Sequence, residues 1–143
     1  MIKRILIFIL VIAAAVGFYY GYKEYKWRQT PGYATTKFVE ALGSDPNEAY
    51  KWLSSELLKD REDYWLKYLA NFTGKDLREV YGGSPLNDPL DAYGDVHKPY
   101  RMQFFVSEPG NPATQNTVTI TLVQQEGDWK VDELFDSGFI KSK

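Results

Sequence analysis

The sequence predicts an α+β protein in two parts: an N-terminal transmembrane helix within residues 1–28, then a domain at 29–143 in which three helices pack on an antiparallel sheet. Three observations predict it. The run ILIFILVIAAAVGFYYGY, Ile5 to Tyr22, holds eighteen residues without a charge. Apolar side chains recur at helical spacing through residues 34–72 and at alternate positions through residues 100–131. The charge divides at the same boundary. Residues 1–28 hold five Lys/Arg and one Glu, a net +4, whereas residues 29–143 hold twelve Lys/Arg and eighteen Asp/Glu, a net −6, so the formal total of −2 describes neither part.

At 1.5 Å rise per residue, eighteen helical residues cover roughly 27 Å, close to the hydrocarbon thickness of a bilayer. Lys3 and Arg4 precede the run, and Phe18, Tyr19, Tyr20, Tyr22, Tyr25 and Trp27 crowd its far end among Lys23, Lys26 and Arg28. Such rings prefer the headgroup layer, and such cations snorkel into it. Three readings compete. A buried helix of a soluble domain would show a polar face, and this run has none. A cleaved signal peptide would use Lys3-Arg4 as its basic region, Ile5 to Ile12 as its apolar region and Ala13-Ala14-Ala15 as its cleavage site. Apolar residues continue past those alanines into an aromatic belt, which favours an uncleaved signal anchor. The flanking charges nearly balance, so orientation rests on the short N-terminal tail. That tail places the N-terminus in the cytoplasm and residues 29–143 outside, on a single-pass cell-membrane protein.

After the turn-forming link Thr30-Pro31-Gly32, Ala34, Phe38, Ala41 and Leu42 mark a first domain helix that should stop at Gly43. Ser44-Asp45-Pro46-Asn47-Glu48 then reads as a helix start: an acceptor at Asp45, Pro in the first turn, and Glu48 to close a capping box. The second helix carries Ala49, Tyr50, Leu53, Leu57 and Leu58 on one stripe. Asp60 and Asp63 repeat the capping logic for a third, in which Trp65, Leu69 and Phe72 align and Tyr64 stacks near Tyr68. Gly74 ends it, and a short amphipathic piece follows from Asp76 to Tyr81.

Residues 82–99, GGSPLNDPLDAYGDVHKP, are rich in turn formers and carry no assignable element. Three strands follow. Tyr100, Met102, Phe104 and Val106 alternate with Arg101, Gln103, Phe105 and Ser107 in the first, and Val118, Ile120 and Leu122 alternate with Thr117, Thr119 and Thr121 in the second. Glu108 to Asn116 reads as the loop between them. Glu126-Gly127-Asp128 signals a hairpin into the third strand, with Trp129 and Val131 on one side.

The segments ATTKFVEALGSDPNEAYKWLSSELL and TVTITLVQQEGDWKVDEL together resemble the cone-shaped nuclear-transport-factor-like superfamily, which includes ketosteroid isomerase and scytalone dehydratase. The shared features are an Ala-x-x-x-Phe first helix, an Asp-Pro break, an Ala-Tyr-x-x-Leu second helix and a final hairpin ending in Gly-Asp-Trp-Lys-Val. The resemblance covers most of residues 33–135, and the chain is similar to the small extracytoplasmic bacterial members held by one N-terminal anchor. It implies a curved, cone-like sheet of four or more strands, so residues 84–99 would have to supply one beyond the three legible in the pattern.

Composition excludes more chemistry than any motif introduces. With no cysteine there is no disulfide framework, thiolate metal site or lipidated cysteine, and one histidine argues against a His-rich metal site. No nucleophile elbow, phosphate-binding loop, dinucleotide fingerprint or zinc-protease motif is present, and no cofactor or resident metal is expected. A domain at −6 with scattered cations also disfavours nucleic acid. Two constellations remain. Asp95 and His97 would share a strand face, where such a pair serves as general base and acid in enzymes of the resembled superfamily; the alternative is an exposed loop histidine. Trp52, Trp65, Tyr68, Phe104 and Trp129 would line a pocket for an apolar or glycan ligand if the cone is open, or form plain core if it is closed. The carboxylates of Asn87 to Asp95 lack the alternating spacing of a calcium loop, and Asx turns explain them equally well. The expected function is a membrane-anchored, non-catalytic module that binds a ligand or another envelope protein. A small enzyme acting on a hydrophobic substrate and a structural spacer in a membrane complex are the alternatives.

Overall fold

In the computed structural model, which describes residues 1–79, 84–85 and 99–136, the apolar run lies within one uninterrupted helix, α1 (Ile2–Arg28). None of its 27 residues is buried, and its best eighteen-residue window has a mean hydropathy of 2.2. A helix long and apolar enough to cross a membrane is thus present near the N-terminus.

The expected link after α1 is instead a helix start. The Thr30 hydroxyl donates to the Trp27 carbonyl and accepts from the Tyr33 N–H, so one side chain caps α2 (Pro31–Ser44) and ties it to the end of α1. α2 buries Ala34, Thr35, Phe38, Val39 and Leu42. It runs past Gly43, whose place in the helix has another cause: a Cβ there would meet the Leu77 methyl at 3.3 Å, and its carbonyl accepts from Gly74 N–H. Asp45 caps α3 (Pro46–Tyr50) as expected, through Asn47 N–H at 2.9 Å. Glu48 does not complete the box, because the Asp45 N–H is already bound to the Ala41 carbonyl of α2; Glu48 pairs with Lys51 instead.

The second helix is where local periodicity fails. Its stripe breaks after Tyr50, and residues 52–54 pair with the sheet: Val131 N–H donates to Trp52 O and Ser54 N–H to Val131 O, both at 2.8 Å, with Leu53 bridged parallel to Val131. An edge strand carries unpaired backbone groups, and this segment satisfies two of them while burying Leu53. The chain turns helical again at α4 (Ser55–Leu58), capped by Ser54. α5 (Glu62–Ala70) starts at Arg61 without a side-chain cap. Asp60 takes a φ of +59° in the turn that reverses the chain, and Asp63 sits in the first turn of α5, where its charge suits the helix dipole. Trp65, Leu69 and Phe72 are buried as their spacing predicts, and Tyr64 stacks on Tyr68 at 6.1 Å.

The sheet is antiparallel and ordered β1 (Asp76–Glu79), β3 (Tyr100–Glu108), β4 (Asn111–Gln125), β5 (Asp128–Asp136), with the two-residue β2 (Ser84–Pro85) beside the start of β3. The strand beyond the three legible ones therefore comes from Asp76–Glu79, within the amphipathic piece. Its Leu77 faces the core opposite Val106, while Asp76 and Arg78 lie on the other face. The expected loop at 108–116 shortens to a turn at Pro109-Gly110, with φ of +69° at Gly110, and β4 begins at Asn111. Glu126 and Gly127, at φ of +54° and +86°, make the two-residue hairpin that the sequence signals. A bulge leaves Asp132 without a partner between the Val131 and Glu133 pairs, which shifts Leu134 and Asp136 onto the inner face. Phe38, Leu42, Leu69, Phe72, Phe104, Val118, Ile120, Leu122 and Val131, all at 0% exposure, fill the space between helices and sheet.

Candidate functional site

The five aromatic candidates divide by what their polar atoms do. Phe104 has none and is fully enclosed, edge-on to Phe72 at 6.5 Å. The Trp65 indole N–H donates to Leu57 O at 2.8 Å, which fastens α5 to α4. The Tyr68 hydroxyl donates to the Asp136 carboxylate at the end of β5, and its ring packs edge-on to Phe72. Burial first, and then this hydrogen bond, push the Tyr68 phenol far above its ordinary pKa. Trp129 donates its indole N–H to Gln29 O at 2.9 Å, bridging the hairpin to the residue that follows α1. Trp52, half-buried, lies edge-on to Tyr33 at 6.4 Å with the Lys130 ammonium 5.8 Å above its ring. The fold thus brings Trp65, Tyr68 and Phe104 into one continuous packing row through Phe72 and sets Trp52 and Trp129 apart from it, near the end of α1.

Two surface concavities are distinct from these residues. One, of about 470 Å³, follows the turn Asp60–Tyr64; the other, of about 430 Å³, lies between α2 and β1 over Val39, Gly43, Lys75 and Leu77. Both are wide open to solvent, and none of the five aromatic candidates lines either. Asp95 and His97, and with them the carboxylate run Asn87–Asp95, lie outside the described residues.

Other polar groups near β5 are used in fastening. The bulge aims Asp132 at Ser54, whose hydroxyl donates to it at 2.5 Å while accepting from Leu57 N–H. Gln125 bonds both the N–H and the hydroxyl of Ser55. Among the described residues every fully buried side-chain N or O has a hydrogen-bond partner, and no group of three His, Asp or Glu side chains is placed to hold a metal ion. These contacts position elements: the Ser54–Asp132 bond ties the start of α4 to β5, and the Tyr68–Asp136 bond ties α5 to β5.

Sequence reasoning missed the arrangement at the junction. Trp27 meets Tyr33 edge-on at 6.1 Å, Tyr33 meets Trp52, and Lys130 covers Trp52, so α1 is joined to the domain by a row of rings and an ammonium. Trp27 and Trp52 are legible as aromatics, but no local pattern pairs residue 52 with residue 130. No protein-family model matches this chain, and no curated protein matches it significantly.

Proposed function

We propose that this chain is a single-pass, membrane-anchored extracytoplasmic module that recognises another envelope protein or an apolar or glycan ligand, without catalysing a reaction. One observation carries the reading: a 27-residue helix with no buried residue continues into a domain that closes its own core. Over Ile5 to Tyr22 the helix is apolar on all sides, and such a surface is stable in lipid and costly in water, because its exposed apolar area has nowhere else to go. The commitment of Trp65, Tyr68 and Phe104 to packing favours recognition at the surface over an enclosed pocket. The relation to the cone-shaped superfamily belongs to this reading and rests on the helix-break-helix segment around Asp45-Pro46 and the closing hairpin.

The test uses the full chain in lipid nanodiscs, with thermal shift and cross-linking measured against envelope glycans and envelope proteins. Stabilisation of the domain, or one cross-linked partner lost on substitution of a surface residue, supports the module. No stabilisation and no partner from any envelope component overturns it. Orientation is tested separately by C-terminal fusion: a reporter active only inside the cytoplasm would reverse the topology.

A further inference from the structure

The apolar run of α1 ends at Tyr22, and five more residues carry Trp27 about 7.5 Å further along the axis, within a headgroup layer about 5–8 Å deep. Whatever touches the last turn of α1 is therefore close to lipid headgroups. Tyr33 does so through the Trp27 ring, Gly32 leaves room for that ring, which a Cβ there would meet at 3.3 Å, and Trp129 is bonded to Gln29. Tyr33 in turn meets Trp52. The aromatic belt of the anchor thus continues onto the domain through rings from three separate stretches of chain, and ammonium groups follow it: Lys26 stands 5.6 Å from the Tyr22 centroid and Lys130 stands 5.8 Å from that of Trp52. Lys130 spends one donor on Lys51 O, and neither Lys26 nor Lys130 forms an ion pair among the described residues. An ammonium has three donors, so both retain capacity for an anion.

From these observations, and resting on the anchor reading above, we propose that the face carrying Trp27, Tyr33, Trp52, Lys26 and Lys130 docks on anionic lipid headgroups and seats the domain against the membrane. Aromatic rings with a polar rim suit the headgroup layer, and ammonium groups among them suit lipid phosphate. The charge distribution is complementary to that pose. Residues 23–28 hold three Lys/Arg and one Glu, a net +2, whereas residues 29–143 hold twelve Lys/Arg and eighteen Asp/Glu, a net −6. An anionic leaflet attracts that flank and Lys130 and repels the acidic remainder of the domain.

The chain has no cysteine, so single cysteines can carry spin labels without background. Three labels on the full chain separate the questions: Ile12→Cys in α1, Lys51→Cys next to Trp52 on the proposed face, and Gln103→Cys on the outer sheet face. Each is read in vesicles of phosphatidylcholine alone and with phosphatidylglycerol added, by relaxation with lipid-soluble oxygen against an aqueous nickel chelate. The expected result is lipid contact at Ile12→Cys, water at Gln103→Cys, and lipid contact at Lys51→Cys that strengthens with phosphatidylglycerol. K26Q and K130Q should each reduce that contact by about fivefold, the factor equivalent to about 1 kcal/mol per lysine at an anionic surface. K130R should keep it. A Lys51→Cys label that stays aqueous, or responds equally to both vesicle types, overturns the docking face while leaving the anchor intact. An aqueous Ile12→Cys label overturns the anchor as well.

Discussion

Two helices of this chain are rich in large apolar and aromatic residues, and they meet opposite fates. α5 places Trp65, Leu69 and, just past its end, Phe72 on one stripe and buries them, leaving Tyr64 and the charged residues outside. α1 distributes its apolar residues all round and buries none. The difference teaches that aromatic content does not decide burial; angular distribution does. A stripe gives a helix one dry face to press on a sheet, whereas a helix without a polar face needs an apolar solvent on every side. The same kinds of side chain are therefore core in one helix and left outside the protein core in the other.

The sharpest way to break that comparison is to truncate one aromatic on each side of it. Phe104→Ala, opposite α5, should cost the domain about 3–5 kcal/mol in urea unfolding, because a closed core cannot fully collapse around the void, while Phe18→Ala in α1 should leave domain stability unchanged. A charge in α1 should do the reverse. Ile12→Arg should cost about 2.5–3.5 kcal/mol of membrane insertion, read as the fraction released by alkaline extraction, with the unfolding midpoint of the domain unmoved.

Tyr68 marks the border between the packed row and the sheet. Tyr68→Phe leaves the Asp136 carboxylate without its phenol donor and should cost about 1–3 kcal/mol. Its pH signature has a definite sign. The folded-state pKa of the phenol lies above the ordinary 10.0, so the folded chain holds that proton more tightly than the unfolded one. This stabilisation is fully present below pH 10 and is lost as the pH rises beyond it. The stability difference between the native chain and Tyr68→Phe should therefore narrow in alkaline denaturation curves; a constant difference would remove the buried phenol from the account. Asp45→Ala, which removes the cap of α3, should cost about 1 kcal/mol in thermal unfolding. Phe135, 70% exposed on the outer face of β5, gives the smallest effect: Phe135→Ser should change stability by less than about 0.5 kcal/mol.

Much of the fold was legible because it is written in local repeats. The alternation in β3 and β4, the Glu126-Gly127 hairpin, the Asp45 cap and the Trp65–Leu69–Phe72 stripe each need only a short window of sequence. The misreadings share one cause. Leu53, Leu57 and Leu58 continue the helical stripe of Ala49 and Tyr50, yet Leu53 serves the edge of β5, whose backbone groups are 78 residues away in sequence. Asp76–Glu79 is too short for its period to be read, and becomes a strand because β3 offers a partner. Of the candidate site, the aromatic residues were legible as a set and their grouping was not. Nothing local separates Trp65, Tyr68 and Phe104, joined through Phe72, from Trp52 and Trp129 near the end of α1.

The sequence by itself therefore determined the division between a cationic apolar helix and an acidic α+β domain, since charge and hydropathy are properties of each stretch alone. It also determined which chemistries lack their residues: thiolate, disulfide and His-rich metal sites all need side chains the chain does not carry. Only the tertiary structure decided that residues 52–54 join the sheet, that a bulge turns Asp132 to Ser54 and Asp136 to Tyr68, and that Trp129 and Lys130 come to stand beside the end of α1. Those outcomes depend on hydrogen-bond partners supplied from distant segments, and a backbone group shows its need for a partner only when the chain has brought one within reach.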